Sequence, residues 1–344
     1  MVPWQLFPCL LLSRRLTLGT SMSAIDWKSL ERPIIALSPM ADMTDSAFCR
    51  TVRKVTGTHA LIMFREMVSS EAVVRKNDKT LGMTAIHPDE RPLVQQIFGS
   101  DPATMAEAVR IIEAEHAPEG FDVNMGCPVY KIVHNFNGAA LMKEPERAAA
   151  IVKAMKSATQ LPVSIKIRLG WSDPTEAITF AKVLEDAGAD LITVHGRTRM
   201  QGYSGVADWD MIRKVKHAVS IPVLCNGDVH KAELIPQALA TSECDGVLIA
   251  RGALGNPWIF KDFQSIAKGN TPDPITIKER VRVVKQHLAL HIEQYGAESV
   301  TTFRKHLSWY FKGIPHVKPH REKMMTVKTQ EELDVILDGI GINI

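Results

Sequence analysis

Ile34-Ile35-Ala36-Leu37-Ser38-Pro39-Met40-Ala41 is a strand-length apolar run that breaks into a polar turn around a proline. Further runs follow at residues 60–67, 93–98, 121–126, 163–169, 191–195, 221–226 and 246–250, at intervals of roughly 25 to 40 residues. Near-continuous apolarity without strict alternation suits strands buried on both faces, as in a parallel sheet. Between the runs lie helical patterns. Over 103–115, Met105, Ala108, Ile111 and Ile112 fall on one side and charges on the other, and the segments 145–155 and 174–184 each open on a proline suited to a first helical turn. Strands alternating with helices in this way predict a closed (β/α)8 TIM barrel of the α/β class. The competing doubly wound sheet carries Gly-x-Gly-x-x-Gly after its first strand, where this chain has Ser38-Pro39-Met40-Ala41.

Beyond Gly255 the texture changes. Thr271-Pro272-Asp273-Pro274 reads as a turn or linker. Ile277, Val281, Val284, Leu288 and Ile292 then recur at helical spacing; a second helix begins near Glu298, with Val300, Phe303, Leu307 and Tyr310 inward, and a third falls over 329–339. The expected organisation is an extension over 1–22, a barrel over 23–265 and an all-helical C-terminal domain over 266–344. The extension places Arg14 and Arg15 after its apolar run and has no acidic residue before Asp26. That order does not suit a secretory signal. It leaves an organelle-targeting segment or a stretch upstream of a start at Met22, the second reading preferred.

The 344 residues are 45% hydrophobic, 23% charged and 6% aromatic, which excludes disorder, collagen-like repeats and a disulfide mini-scaffold. Lys plus Arg number 41 against 38 Asp plus Glu, a net +3, so any surface for a nucleic acid must be local. The five cysteines (Cys9, Cys49, Cys127, Cys225, Cys244) contain no Cys-x-x-Cys pair and are odd in number, which points to a reducing compartment, the cytoplasm. No run reaches the roughly 18 apolar residues of a membrane span, and neither a membrane partner nor a metal site is expected.

A barrel enzyme carries its chemistry at the C-terminal ends of its strands. Here those ends read Ser38-Pro39-Met40, Arg65-Glu66, Gln95-Gln96, Asn124-Met125-Gly126-Cys127-Pro128, Lys166-Ile167-Arg168, His195-Gly196-Arg197-Thr198, Asn226-Gly227-Asp228 and Ala250-Arg251-Gly252. Each alone is weak; together they describe one polar mouth. The last two follow the seventh and eighth strands, the usual phosphate corner of this fold. Their glycines let backbone N–H groups approach an anion, with the Arg251 fork beside them. The plain alternative is a pair of tight turns. Lys166 faces the mouth, where a cation forms a Schiff base, holds the negative charge of a reduced flavin ring, or simply reaches solvent. Gln96 and His195 can hydrogen-bond the edge of a planar ring, although a histidine satisfied inside the barrel is an equal reading. Cys127 lies between Gly126 and Pro128, with Lys131 near enough in sequence to assist its ionisation. A lone cysteine is most often a small buried hydrophobe. Without a His/Asn partner set acyl transfer is not expected, whereas a thiol of unperturbed pKa about 8.5 is a chemically reasonable general acid.

These motifs resemble those of the tRNA-dihydrouridine synthases. Ser38-Pro39-Met40-Ala41-Asp42-Met43-Thr44-Asp45 is similar to the family's opening. Gln96-Ile97-Phe98-Gly99, Asn124-Met125-Gly126-Cys127-Pro128, Lys166-Ile167-Arg168, Val194-His195-Gly196-Arg197-Thr198, Asn226-Gly227-Asp228 and Gly255-Asn256-Pro257-Trp258 follow in the family's order. The resemblance covers roughly residues 33 to 320, and Phe303-Arg304-Lys305-His306-Leu307 with Trp309-Tyr310 looks like the bacterial B-type subgroup. It implies an oxidoreductase with bound flavin mononucleotide (FMN) that reduces the C5–C6 double bond of a uridine in tRNA, using NADPH or NADH. By resemblance Pro39, Met40 and Ala41 lie against the flavin, Gln96 meets its ring edge, Lys166 its N1 side, and His195 also sits at the cofactor. Asn226, Gly227, Asp228, Ala250 and Arg251 hold the phosphate end, and Cys127 matches the proton donor. The resemblance further implies that flavin N5 delivers hydride to uracil C6 and that Cys127 protonates C5. The text from Val129 to Asn137 departs from the family, with Tyr130 and Asn135-Phe136-Asn137 where basic or small residues are usual.

A nucleotide reduced in this way must be splayed out of its stack, which costs a few kcal/mol. The C-terminal helices offer a compensating grip. Between Arg304 and Lys328 lie Arg304, Lys305, Lys312, Lys318, Arg321, Lys323 and Lys328 against Glu322 alone, with Arg304, Ser308 and Lys312 on one helical face. A solvated basic face is the alternative. A monomer is expected. Two other functions compete: a flavin oxidoreductase acting on a free small molecule, and a non-catalytic tRNA-binding protein.

Overall fold

The structure, a computed structural model, describes residues 24–129 and 136–343. The extension read over 1–22 lies outside them. Strands β1 Ile34–Leu37, β2 Ile62–Ser69, β3 Leu93–Phe98, β4 Gly120–Met125, β5 Val163–Arg168, β6 Leu191–His195, β7 Val223–Asn226 and β8 Gly246–Ile249 pair in parallel in chain order, and β8 returns to β1. The sheet is therefore the closed barrel that the apolar runs predict. β1 stops at Leu37 rather than Met40. Ser38 still donates to Ile249 O, but Pro39 has no N–H, and the Met40 N–H donates to Thr44 Oγ1 (2.8 Å), which turns the chain over the strand end.

Helices α1 Ser46–Thr56, α2 Ser70–Val74, α3 Asp78–Thr84, α4 Pro102–His116, α5 Pro145–Ala158, α6 Glu176–Asp186, α7 Trp209–Ala218, α8 Leu234–Ser242 and α9 Ile259–Ala267 lie between or after the strands. Their starts are written locally. Asp45, Asp101 and Asp208 each cap by accepting an N–H three residues on. Helix α6 starts at Glu176 rather than Pro174, because Asp173 Oδ1 accepts the Thr175 N–H at 2.9 Å and closes a turn first. Four more helices follow: α10 Ile277–Tyr295, α11 Val300–Tyr310, α12 Lys318–Met324 and α13 Gln330–Asn343. Three match the expected amphipathic segments. The basic surface of α12 hid a short helix that buries only Met324. The expected boundary between 265 and 266 falls in the last turn of α9.

Apolar side chains gather in separate cores. One lies between sheet and outer helices; another, built from Trp258, Val284, Phe303, Tyr310, Leu333 and Ile340, belongs to the C-terminal helices. A third fills the bottom of the barrel, where Ile34, Ala36, Ile62, Phe64, Val94, Leu191, Leu224 and Leu248 meet Ile25 and Trp27 of the preceding segment. Trp27 stacks on Phe64 with ring centroids 6.0 Å apart. That end is closed. Among the described residues no helix is long and apolar enough to cross a membrane.

Candidate active site

Side chains two apart on a strand share a face, so each inward strand position has a partner one layer higher. Val94 is followed by Gln96, Asp122 by Asn124, Ser164 by Lys166, Leu191 by Thr193 and His195, and Leu224 by Asn226. The interior thus turns from apolar at the bottom to polar at the top. Parallel register sets these groups side by side: Gln96 opposite Asp122, Asp122 opposite Ser164, Asn124 opposite Lys166, Lys166 opposite Thr193, and His195 opposite Asn226.

The closest of these contacts form one series. Ser164 Oγ donates to Asp122 Oδ1 (2.7 Å), and Gln96 Nε2 donates to Asp122 Oδ2 (2.6 Å). Asn124 Nδ2 donates to Gln96 Oε1 (2.9 Å), while Asn124 Oδ1 accepts the N–H groups of Cys127 (2.9 Å) and Gly126 (3.2 Å). Burial pushes the Asp122 carboxyl up to about 7, against the hydrogen bonds from Gln96 and Ser164 and the Lys166 charge. Burial and Arg168 together bring the Lys166 amine down to about 8, with Asp122 and Cys127 acting the other way. The Lys166 amine has no hydrogen bond or ion pair among the described residues, and it lies within electrostatic reach of Cys127.

Cys127 is half-buried after β4. Cys49 and Cys225 are fully buried, and burial drives both thiols well up; that of Cys244 is pushed up to about 12. Position therefore separates Cys127 from the packing thiols. Lys131, the basic neighbour noted in the sequence, lies outside the described residues, as do Tyr130 and Asn135. Phe136, in the same segment, is exposed with the Arg147 guanidinium 6.0 Å from its ring.

At the opposite side of the mouth the turns after β7 and β8 touch. A Cβ on Gly252 would stand 2.2 Å from Val229 O, and one on Gly227 (φ +118) 2.8 Å from Ala207 Cβ and 2.9 Å from His195 Cδ2. Only glycine lets these turns close together. Among the described residues the backbone N–H groups of Gly227, Asp228, Arg251 and Gly252 donate no hydrogen bond. The side chains of this corner hold the turns: Asn226 Nδ2 donates to Leu248 O (2.6 Å), and the Asp228 carboxylate accepts from Arg197 Nη2 and the Ala207 N–H, both at 2.7 Å. Burial raises the Asp228 carboxyl, but those two donors prevail and hold it below its ordinary value. Arg251 is half-exposed, 4.0 Å from Asp228 Oδ1 and over the Tyr203 ring at 4.6 Å. Burial, then the cations Lys166, Arg168, Arg197 and Arg251, hold His195 neutral, its pKa well below the usual imidazole value.

Pro39, Met40 and Ala41 border the same mouth, half-buried to exposed. Among the described residues the buried hydroxyls of Ser38 and Thr193 have no hydrogen-bond partner. The residues missed as functional candidates are Asp122, Ser164 and Tyr203. The signal for Asp122 was present: Phe121-Asp122-Val123-Asn124 puts two polar groups on the inward face of a barrel strand. Of the seven cations in the basic C-terminal stretch, Lys312, Lys318, Arg321, Lys323 and Lys328 are exposed. Arg304 instead turns inward and donates to Val327 O. Among the described residues no group of His, Cys, Asp and Glu could hold a metal.

A sequence model of the family described as dihydrouridine synthase (Dus) matches residues 35–341. A protein of Rickettsia conorii named "Probable tRNA-dihydrouridine synthase" is 40% identical over 286 residues, 82% of this chain and 85% of its own. A Synechocystis protein named "Probable tRNA-dihydrouridine synthase 1" is 38% identical over 88% of this chain and 84% of its own, and a Mycobacterium tuberculosis relative is 36% identical over 90% and 82%. Among solved structures, a 2-naphthoyl-CoA reductase complex (TM-score 0.54, 69% of this chain) and the histamine dehydrogenase of Rhizobium sp. 4-9 (TM-score 0.55, 78%) share the fold at 11% identity. The chain spans about half the length of each, 50% and 51%.

Proposed function

Because the chain belongs to the dihydrouridine synthase family, we propose that it reduces the C5–C6 double bond of a uridine in tRNA to dihydrouridine, with bound FMN and with NADPH or NADH as reductant. The observation that carries the reading is a half-buried thiol, Cys127, at a polar barrel mouth, beside a lysine and across from two glycine turns whose amine and N–H groups make no hydrogen bond among the described residues. When bound, the flavin supplies hydride chemistry between a nicotinamide and C6 of the uracil. The residues present fit it. The N–H groups of Gly227, Asp228, Arg251 and Gly252 suit a phosphate, and Arg251 adds charge. Asn226 and the Asp228 side chain act by holding those turns rather than by touching the anion. Pro39, Met40, Ala41, Gln96 and His195 line the remaining wall, the imidazole as a neutral hydrogen-bonding group.

Lys166 in its cationic form balances negative charge at the mouth. Cys127 donates its proton to C5 of the reduced ring. We assign residues 23–265 to catalysis and 266–344 to gripping tRNA through Lys312, Lys318, Arg321, Lys323 and Lys328, in a monomer acting in the cytoplasm. The test is direct: purified protein with FMN, unmodified tRNA and NADPH, followed by mass mapping of dihydrouridine. Cys127→Ala should lower the rate by about 10²-fold or more while flavin stays bound. Undiminished product from that variant would refute the assignment of the proton donor.

A further inference from the structure

The hydrogen-bond series that ends at Cys127 has a fixed polarity. The N–H groups of Gly126 and Cys127 can only donate, so Asn124 must turn Oδ1 to them and Nδ2 to Gln96. Gln96 must then accept with Oε1 and direct Nε2 inward, where only an acceptor can complete the series. Asp122 Oδ2 is that acceptor at 2.6 Å, and Ser164 holds the other carboxylate oxygen. Gln96 is 1% exposed, Asp122 and Ser164 not at all, so bulk water cannot stand in for a missing partner.

We propose that Asp122 is a positioning residue: its buried acceptor fixes the direction of the Gln96 and Asn124 carboxamides and thereby the turn that presents the Cys127 thiol. The catalytic consequence rests on Cys127 being the proton donor; the coupling of Asp122 to the turn does not. What the series requires at residue 122 is an acceptor, not a charge. With Asp122→Asn, Oδ1 accepts from Gln96 and Nδ2 donates to Ser164 Oγ, whose hydroxyl then points to Phe121 O, already 3.2 Å away. With Asp122→Ala the acceptor is gone. Gln96 can then reverse its amide, and Asn124 is free to release the two N–H groups.

The experiment measures alkylation of Cys127 by iodoacetamide in the purified full-length protein, read on the Cys127 peptide by mass spectrometry, together with steady-state dihydrouridine formation. Asp122→Ala should change the alkylation rate about threefold or more and lower kcat about tenfold or more, with KM for tRNA little altered. Asp122→Asn should restore both to within about twofold of wild type. An alkylation rate unchanged in folded Asp122→Ala overturns the proposal. So does an Asn variant as impaired as the Ala variant, since the charge facing Lys166 would then be the operative feature. If Asp122→Ala does not fold, Gln96→Met cuts the series one link further out and must shift the alkylation rate in the same way, no shift counting against the proposal. Should wild type make no dihydrouridine, the proposed function fails while the alkylation rates still decide the role of Asp122.

Discussion

Replacing Gly252 with alanine tests the phosphate corner through geometry alone. The added Cβ would lie 2.2 Å from Val229 O, 2.9 Å from His230 Cα and 3.1 Å from Val229 C. All three are backbone atoms, so no side-chain rotation relieves the contact. Ordinary contact for a Cβ begins at 3.4 Å, which requires the turns after β7 and β8 to separate by about 1.2 Å. Overpacking of this kind costs about 1 to 3 kcal/mol of stability. It also stretches N–H donors on either side of an anion from about 2.9 Å toward 4 Å, beyond useful hydrogen bonding. Losing two charge-assisted bonds at about 1.5 to 3 kcal/mol each amounts to about 3 to 6 kcal/mol, or roughly 10²- to 10⁴-fold in affinity. The assay is fluorescence titration of the folded apoprotein with FMN and, in parallel, with riboflavin, which lacks the phosphate. Gly252→Ala should weaken FMN binding and leave riboflavin binding near wild type. Equal affinity of variant and wild type for FMN, or equal losses for both ligands, would refute the reasoning.

The burial that lowers Lys166 to about 8 means its charge disappears as pH rises through that value, so dihydrouridine formation should decline above about pH 8 and a Lys166→Arg variant should hold its charge to higher pH; parallel pH profiles for the two would count against a cationic role. Charge reversal at Lys318, Arg321 and Lys323 together should raise KM for tRNA at least tenfold and flatten its salt dependence by about three units of slope, with flavin content unaltered. A filter-binding slope that does not change would move the RNA grip elsewhere. His287, His291 and His306 sit buried between α1, α10 and α11, neutral because burial lowers all three, His291 to about 4. Unfolded imidazoles take protons near pH 6.5, so the stability these groups contribute is complete above that value and is lost below it. The loss is about 1.4 kcal/mol for each by about pH 5.5, or about 4 kcal/mol together. Urea denaturation at about pH 7.5 and pH 5.5 checks this, and equal midpoints would exclude it.

The eight strands and the main amphipathic helices were legible because burial on both faces leaves a continuous apolar run and burial on one face leaves a helical period. The turn signals were legible in part. Pro174 suggested a helix start that the Asp173 turn delays, and the short α12 was masked by its own charges. Gln96, Cys127, Lys166 and His195 were placed at strand ends from sequence; His195 ends β6, Gln96 and Lys166 stand two residues before the ends of β3 and β5, and Cys127 follows β4 by two. Their partners were not. That the Asp228 carboxylate holds Arg197, and that Arg304 of the basic stretch donates to Val327 O, could not be read from the sequence.

Sequence by itself determined the layer each segment occupies, since apolarity acts residue by residue and needs no knowledge of neighbours far along the chain. It determined the order of the strand-end motifs as well. Only closure and register decided that Ser164, Asp122, Gln96 and Asn124 stand in one line ending at Cys127, and that Gly252 lies against Val229. Those are relations between segments tens of residues apart, fixed when parallel strands pair and the ring shuts, and a shift of one residue in any pairing would turn each inward group out of the barrel.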